Sequence, residues 1–174
     1  DDVPDPELSN SDLFDIVSWA MLLGAPRPDA PTEETTRGRE AFAEIGCEKC
    51  HVNALEGPRG MVRPWSDLLL HDMGPELADG FKAGLAEGNE YRTQPLWGLA
   101  ATGPYLHDGR ADTVDEAIRM HGGEAEASRI EYVAQPENTR RDILAFLNSL
   151  GGADQKSDGL LPPPFGLAPL ALDP

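Results

Sequence analysis

Residues 38–52 read GREAFAEIGCEKCHV and hold both cysteines of the 174-residue chain, Cys47 and Cys50, with His51 directly after. A structural zinc site takes four ligands, commonly several of them thiolates. With no third cysteine, two histidines would have to be recruited. A redox dithiol of the thioredoxin type follows a strand and opens a helix. Here helical spacing precedes the cysteines, an irregular Gly- and Pro-rich stretch follows them, and His51 would have no part.

C-x-x-C-H is also the attachment pattern of haem c. Its spacing has a chemical basis: two thiols form thioether bonds to the two vinyl groups of the porphyrin, and the next residue brings an imidazole under the iron. The approach to the motif points the same way. Gly38, Phe42 and Cys47 reproduce the G-x-x-x-F-x-x-x-x-C run of cytochrome c domains, in which the first core helix crosses the last. Gly38 would allow close approach there, with Ile143, Phe146 and Leu147 receiving Phe42. The expected cofactor is one covalently attached haem c. The expected fold is an all-α, cytochrome c-like haem domain with long irregular loops.

Helical spacing places elements at about Asp12–Leu23, Glu33–Ile45, Thr113 to Gly122 and Pro136–Leu150. TVDE at 113–116 matches the S/T-x-x-E capping box. Between His51 and Glu90 little is periodic, and only LADGFKAGLAE (77–87) hints at a short helix. The run from residue 153 onward is proline-rich and excludes regular helix. These breaks predict three parts: residues 1–32, a helix and linker; 33–152, the haem domain; and 153–174, a tail. FDIVSWAMLLG (14–24) echoes RDILAFLNSLG (141–151), so 1–32 reads as the closing helix of a preceding, similarly built domain plus its linker. The opening DDVPDPELSN has no initiator Met and no signal peptide, which suggests a removed leader or a piece of something longer.

The net charge of −17 argues against a nucleic-acid partner, because little here would neutralise phosphates. The most apolar run, Phe14 to Leu23, is interrupted by Asp15 and Ser18 and falls short of the roughly 18–20 residues a membrane span needs. A soluble chain is expected.

Haem iron in a cytochrome commonly takes a second axial ligand, Met or His. The candidates are His71, His107, His121, Met61, Met73 and Met120. Helix geometry separates the last adjacent pair. At about 100° per residue, Val114, Ala117 and Ile118 define one stripe; His121 falls roughly 15° from its centre and Met120 roughly 110° away. His121 is therefore the leading candidate, with Met120, His71 and Met73 left as alternatives.

YRTQPLWGLAATGPYLHDGRADTVDEAI (91–118) resembles the second haem domain of bacterial dihaem cytochrome c peroxidases. WSDLLLHDMGPELADG and MHGGEA are closer to a related dihaem oxidoreductase branch described as thiol oxidoreductases. The resemblance covers about Gly38 to Leu150. It implies Cys47 and Cys50 as thioether cysteines, His51 as proximal ligand, and His121 at the position of the peroxidases' distal Met. It also implies that His71 and Asp72 fall in a stretch that is not usually the ligand, and that Arg92, Tyr105 and His107 line the haem, with Arg92 pairing a propionate. Two departures stand out: L-W-G-L replaces L-R-N-V around Trp97, and family members carry two haems where this chain has one attachment motif. A missing N-terminal haem domain would account for the second, and would be the natural place for peroxide chemistry.

Three functions follow as expectations. The first is electron relay through a haem closed by His51 and His121, to or from a second haem or a redox protein. The second is a catalytic haem reducing hydrogen peroxide at an open distal site, helped by His71, His107 or Asp108. The third is a docking subunit that uses its tail and acidic face. Haem c is attached after export, which implies the periplasm or the cell exterior.

Overall fold

The computed structural model describes residues 6–57 and 60–152. They form two units, residues 6–25 and residues 26–152. The first unit is built on helix α1 (Asn10–Leu22), whose N-cap Ser9 hydroxyl accepts the Asp12 amide. No residue of α1 is buried, and Trp19 is 65% exposed.

In the second unit, Thr32 and Thr35 form a reciprocal cap at the start of α2 (Glu33–Glu44), and Gly46 (φ 89°) lies just beyond its end. The last helix among the described residues, α5 (Glu137–Asn148), begins just after Pro136, a residue that cannot donate a helical hydrogen bond. The two helices cross at Gly38, where a Cβ would stand 1.9 Å from the carbonyl oxygen of Asp142. Only glycine permits so close a crossing. Phe42, one turn on, packs edge-on against Phe146 with ring centroids 5.5 Å apart. Ile143, Phe146 and Leu147 are 1%, 4% and 3% exposed; burying side chains of this size stabilises by about 1.5–3 kcal/mol each. Arg37 Nε donates to Asp142 Oδ2 at 2.8 Å across the same crossing.

Thr113 caps α3 (Val114–Met120): its hydroxyl accepts the Glu116 amide, and the Glu116 carboxylate accepts the Thr113 amide at 3.0 Å. Helix α4 (Glu126–Ala134) follows, an element the sequence reading lacks. It starts at Ala125 with no side-chain cap and so carries no local start signal. Its anchor is tertiary: Tyr132 is fully buried and donates its hydroxyl to Asp115 Oδ1 at 2.6 Å, joining α4 to α3.

The all-α expectation needs correction. The domain is mainly helical but includes two antiparallel ribbons, β1 (Leu55–Gly57) with β2 (Gly60–Val62) and β3 (Leu70–Asp72) with β4 (Glu90–Arg92). Ribbons form because long loops must still pair their backbone groups. The second one closes the loop 73–89, into which the Tyr91 hydroxyl projects, 2.8 Å from the Leu77 carbonyl oxygen and 3.0 Å from that of Gly88. The short helix expected at 77–87 is absent. Gly80 (φ 75°) and Gly84 (φ 64°) adopt left-handed turns that interrupt any helix, and Ala83 pairs with Ala86 instead.

Among the described residues no helix is long and apolar enough to cross a membrane. The segment 153–174, read as a proline-rich tail, lies outside the described residues.

Candidate functional site

A short 3-10 turn, Cys47–Lys49, follows α2 and brings Cys47, Cys50 and His51 to one wall of a cavity of about 750 Å³. Both cysteines are free thiols. Burial pushes the Cys47 thiol up to about 12 and raises that of Cys50, so burial favours the neutral thiol at both positions. The Cys47-x-x-Cys50-His51 spacing is that of a haem c attachment motif.

His51 is oriented by backbone. Its Nδ1–H donates to the Trp65 carbonyl oxygen at 3.0 Å. Trp65 holds a left-handed conformation (φ 55°), which is costly for a bulky residue. Packing retains it: the indole meets Phe146 at 5.1 Å and Phe42 at 6.3 Å between ring centroids. With Nδ1 occupied, Nε2 is the nitrogen left to bind a metal. Burial lowers the His51 pKa to about 4, so at neutral pH the ring is unprotonated, as a ligand must be.

His121 also lines the cavity, at the C-cap of α3. Its Nδ1–H donates to the Ala117 carbonyl oxygen at 2.7 Å, again leaving Nε2 free of hydrogen bonds among the described residues. Burial lowers its pKa too. Tethering Nδ1 to a carbonyl is the usual way a protein fixes the tautomer and direction of a ligating imidazole.

The other sequence candidates divide. Met120 is 37% exposed and Met61 61%, and neither lines the cavity. Met73 lines it. His71 lines it as well, but both of its ring nitrogens are engaged, Nε2 with Asp67 at 2.8 Å and Nδ1 with Glu124 at 2.9 Å. Cys50, Asp67 and His71 bring one potential ligand atom each within 4.8 Å of one another. A thioether at Cys50 would consume the thiol of that trio. His107 stacks on Tyr91 at 4.1 Å, with Nε2 3.8 Å from Asp79 and 3.9 Å from Asp108, beyond hydrogen-bond reach. Asp108 is committed to Arg110 and does not line the cavity, nor does Asp72.

Arg92, Tyr105 and Trp97 all contribute to the lining. Arg92 is exposed at the end of β4 and makes no ion pair among the described residues. The Tyr105 hydroxyl donates to the Leu99 carbonyl oxygen at 3.1 Å. Leu96, Val114, Ile118, Tyr132 and Leu147 supply apolar walls. The volume and mixed lining suit a large, mainly apolar group with a charged edge. The residues present fit haem c: two thiols and a tethered imidazole stand on one segment, and a second tethered imidazole lines the same cavity.

Sequence reasoning missed Trp65, Asp67 and Glu124. Nothing local marks Trp65 as the residue whose carbonyl orients His51. Glu124 lies within MHGGEA, a run that carried the family resemblance but gave Glu124 itself no role.

A family model described as "Di-haem oxidoreductase, putative peroxidase" matches residues 3–150. A curated relative, cytochrome c551 peroxidase of Pseudomonas aeruginosa, is 29% identical over 124 residues, covering 67% of this chain and 33% of the relative. The chain thus spans about a third of that relative's length. The crystal structure of a MauG-like protein associated with microbial copper homeostasis aligns with a TM-score of 0.48 at 22% sequence identity, over 71% of this chain and 48% of that one.

Proposed function

Because the chain belongs to the di-haem oxidoreductase family, we propose that it is one haem c domain of a peroxidase-type redox protein. In this reading Cys47 and Cys50 would hold the haem through thioethers, and His51 and His121 would ligate its iron. The observation that carries it is the matched tethering of the two imidazoles, His51 Nδ1 on the Trp65 carbonyl and His121 Nδ1 on the Ala117 carbonyl, in one cavity.

Haem c would supply one-electron chemistry at the iron. The chain's own residues do the rest. Burial keeps His51 and His121 neutral, so their Nε2 lone pairs stay available. Arg92, exposed at the cavity edge, is the cation for a propionate. The apolar walls exclude water from the iron's surroundings.

In the whole protein, hydrogen peroxide would accept two electrons and two protons to give two molecules of water. An iron held by both imidazoles would leave no place for peroxide, so in this reading the domain would relay electrons and a second haem domain would carry the reaction. Helix α1 supports such a partner. Its Asp15, Ile16 and Trp19 correspond in the sequence echo to Asp142, Ile143 and Phe146, which are buried in α5. A preceding domain of similar build would cover them, with residues 33–152 forming the haem domain and 1–32 the closing helix and linker. Attachment of haem c after export assigns the periplasm or the cell exterior.

The second reading places peroxide reduction in this cavity, and the family description and the name of the curated relative favour it. His107 is the residue that would serve it, a lining imidazole whose Nε2 is beyond hydrogen-bond reach of Asp79 and Asp108. His121 would then have to leave the iron. Absorption spectra of the ferric and ferrous protein, with carbon monoxide added to the ferrous form, test the two. Low-spin ferric iron, no sulfur-to-iron band and no carbon monoxide binding are expected for the relay. High-spin ferric iron with ready carbon monoxide binding would overturn it in favour of the catalytic reading.

A further inference from the structure

We propose that His71 and Glu124 are positioning residues that, with Asp67, brace the segment carrying His121 against the segment carrying Cys50. This rests on the reading of His121 as an axial ligand and concerns what keeps it in place.

The brace can be followed atom by atom. The Asp67 amide donates to the Cys50 carbonyl oxygen at 2.8 Å. Asp67 Oδ2 accepts from His71 Nε2 at 2.8 Å, and His71 Nδ1 donates to Glu124 Oε2 at 2.9 Å. The other Glu124 oxygen, Oε1, accepts the Asp72 amide at 2.9 Å. Glu124 is three residues past His121. One hydrogen-bonded line therefore runs from the attachment motif, through the β3–β4 ribbon, to the turn behind the second imidazole.

Across to the ribbon, that turn has few other ties: its remaining hydrogen bonds, His121 to Ala117 and Ile118 and Ala125 to Gly122, are local. Between His121 and Glu124 lie only Gly122 and Gly123, pressed backbone to backbone on the end of β3. A Cβ on Gly123 would stand 2.1 Å from the Asp72 carbonyl oxygen, and one on Gly122 2.9 Å from that of Met73. Neither glycine offers a side chain to interlock the two segments. Among the described residues, every hydrogen bond joining the ribbon to this turn ends on Glu124. The chemistry of His71 is specific as well. Ionised carboxylates only accept, so holding Asp67 and Glu124 together takes two N–H donors on one ring, that is, an imidazolium. A neutral ring can donate to only one of them.

Carbon monoxide binding to the ferrous holoprotein, with the ferric spin state, tests the brace. Wild type is expected to be closed. Glu124→Ala removes both acceptors and His71→Gln removes the double donor. Each should raise the carbon monoxide binding rate and the high-spin fraction by about tenfold or more, the scale set by hydrogen bonds to charged groups. Glu124→Gln, which keeps an acceptor for the Asp72 amide, should fall between them and wild type. Covalent haem content should stay unchanged throughout. Closed wild type with equally closed Glu124→Ala and His71→Gln would overturn the brace while leaving His121 as ligand. Open wild type would overturn the His121 reading and the brace with it. If Glu124→Ala fails to load haem, His71→Gln, which cannot span Asp67 and Glu124, carries the test alone, and a rate equal to wild type rejects the proposal.

Discussion

Gly38 lies so close to Asp142 that a single added methyl carbon would stand 1.9 Å from the Asp142 carbonyl oxygen. The contact is backbone to backbone, so no rotamer change can relieve it. It sets how near α2 approaches α5, and through α2 it sets where the C-x-x-C-H turn emerges. The position of the cofactor wall is thus coupled to one residue's lack of a side chain.

Gly38→Ala should therefore destabilise the domain by roughly 1–3 kcal/mol or more, the usual cost of overpacking a rigid contact. Thermal unfolding of the holoprotein measures it. A melting temperature equal to wild type would mean that the helices part without cost and that the crossing does not depend on glycine.

His121→Met should raise the midpoint potential of the haem, since axial methionine favours the reduced iron relative to imidazole. A spectroelectrochemical titration reads this directly. An unchanged potential would count against His121 as a ligand and turn attention to Met73, which shares the cavity.

The His71 brace has a pH window whose limits follow from its pKa shifts. Glu124 first, then Asp67, raise His71 above its ordinary 6.5. Its stabilisation is thus complete below 6.5 and is lost as pH rises through the raised value. Glu124 is lowered from 4.5, chiefly by His71 and then by the Asp72 amide. Asp67 is pushed up by burial, but the Leu69 amide and His71 bring it below 3.8. These two contribute above their ordinary values, and the contribution fades as pH falls through the lowered ones. Of the other groups around His71, Asp72 adjoins it on β3, Tyr91 faces it across the ribbon, and Cys50 and His51 lie toward the cavity. A melting-temperature profile against pH should show an alkaline decline in wild type that is flattened in His71→Gln. Parallel profiles would mean that His71 does not titrate with folding.

Much of this protein was legible where the relevant residues are near neighbours in the chain. The C-x-x-C-H spacing, the Thr113–Glu116 cap and the approach through Gly38 and Phe42 are short-range patterns whose chemistry constrains spacing directly. The preference for His121 over Met120 followed from helical angle, and the structure has Met120 exposed while His121 lines the cavity. Helix α4 was invisible because it has no cap and depends on burying Tyr132 against α3, and the β3–β4 ribbon because its three-residue strands carry no alternation to read.

The sequence by itself determined the haem c attachment motif, the family and the α2–α5 pairing, because each is written in residue types at fixed short separations. Tertiary structure alone decided which imidazoles have Nδ1 tethered to a backbone carbonyl, that Trp65 orients His51, and that His71 spans Asp67 and Glu124. The last joins residues 53 apart in the chain. Such contacts depend on the path of loops turned by glycine and proline, and no local preference specifies that path; it is chosen by what the whole domain can bury and pair at once.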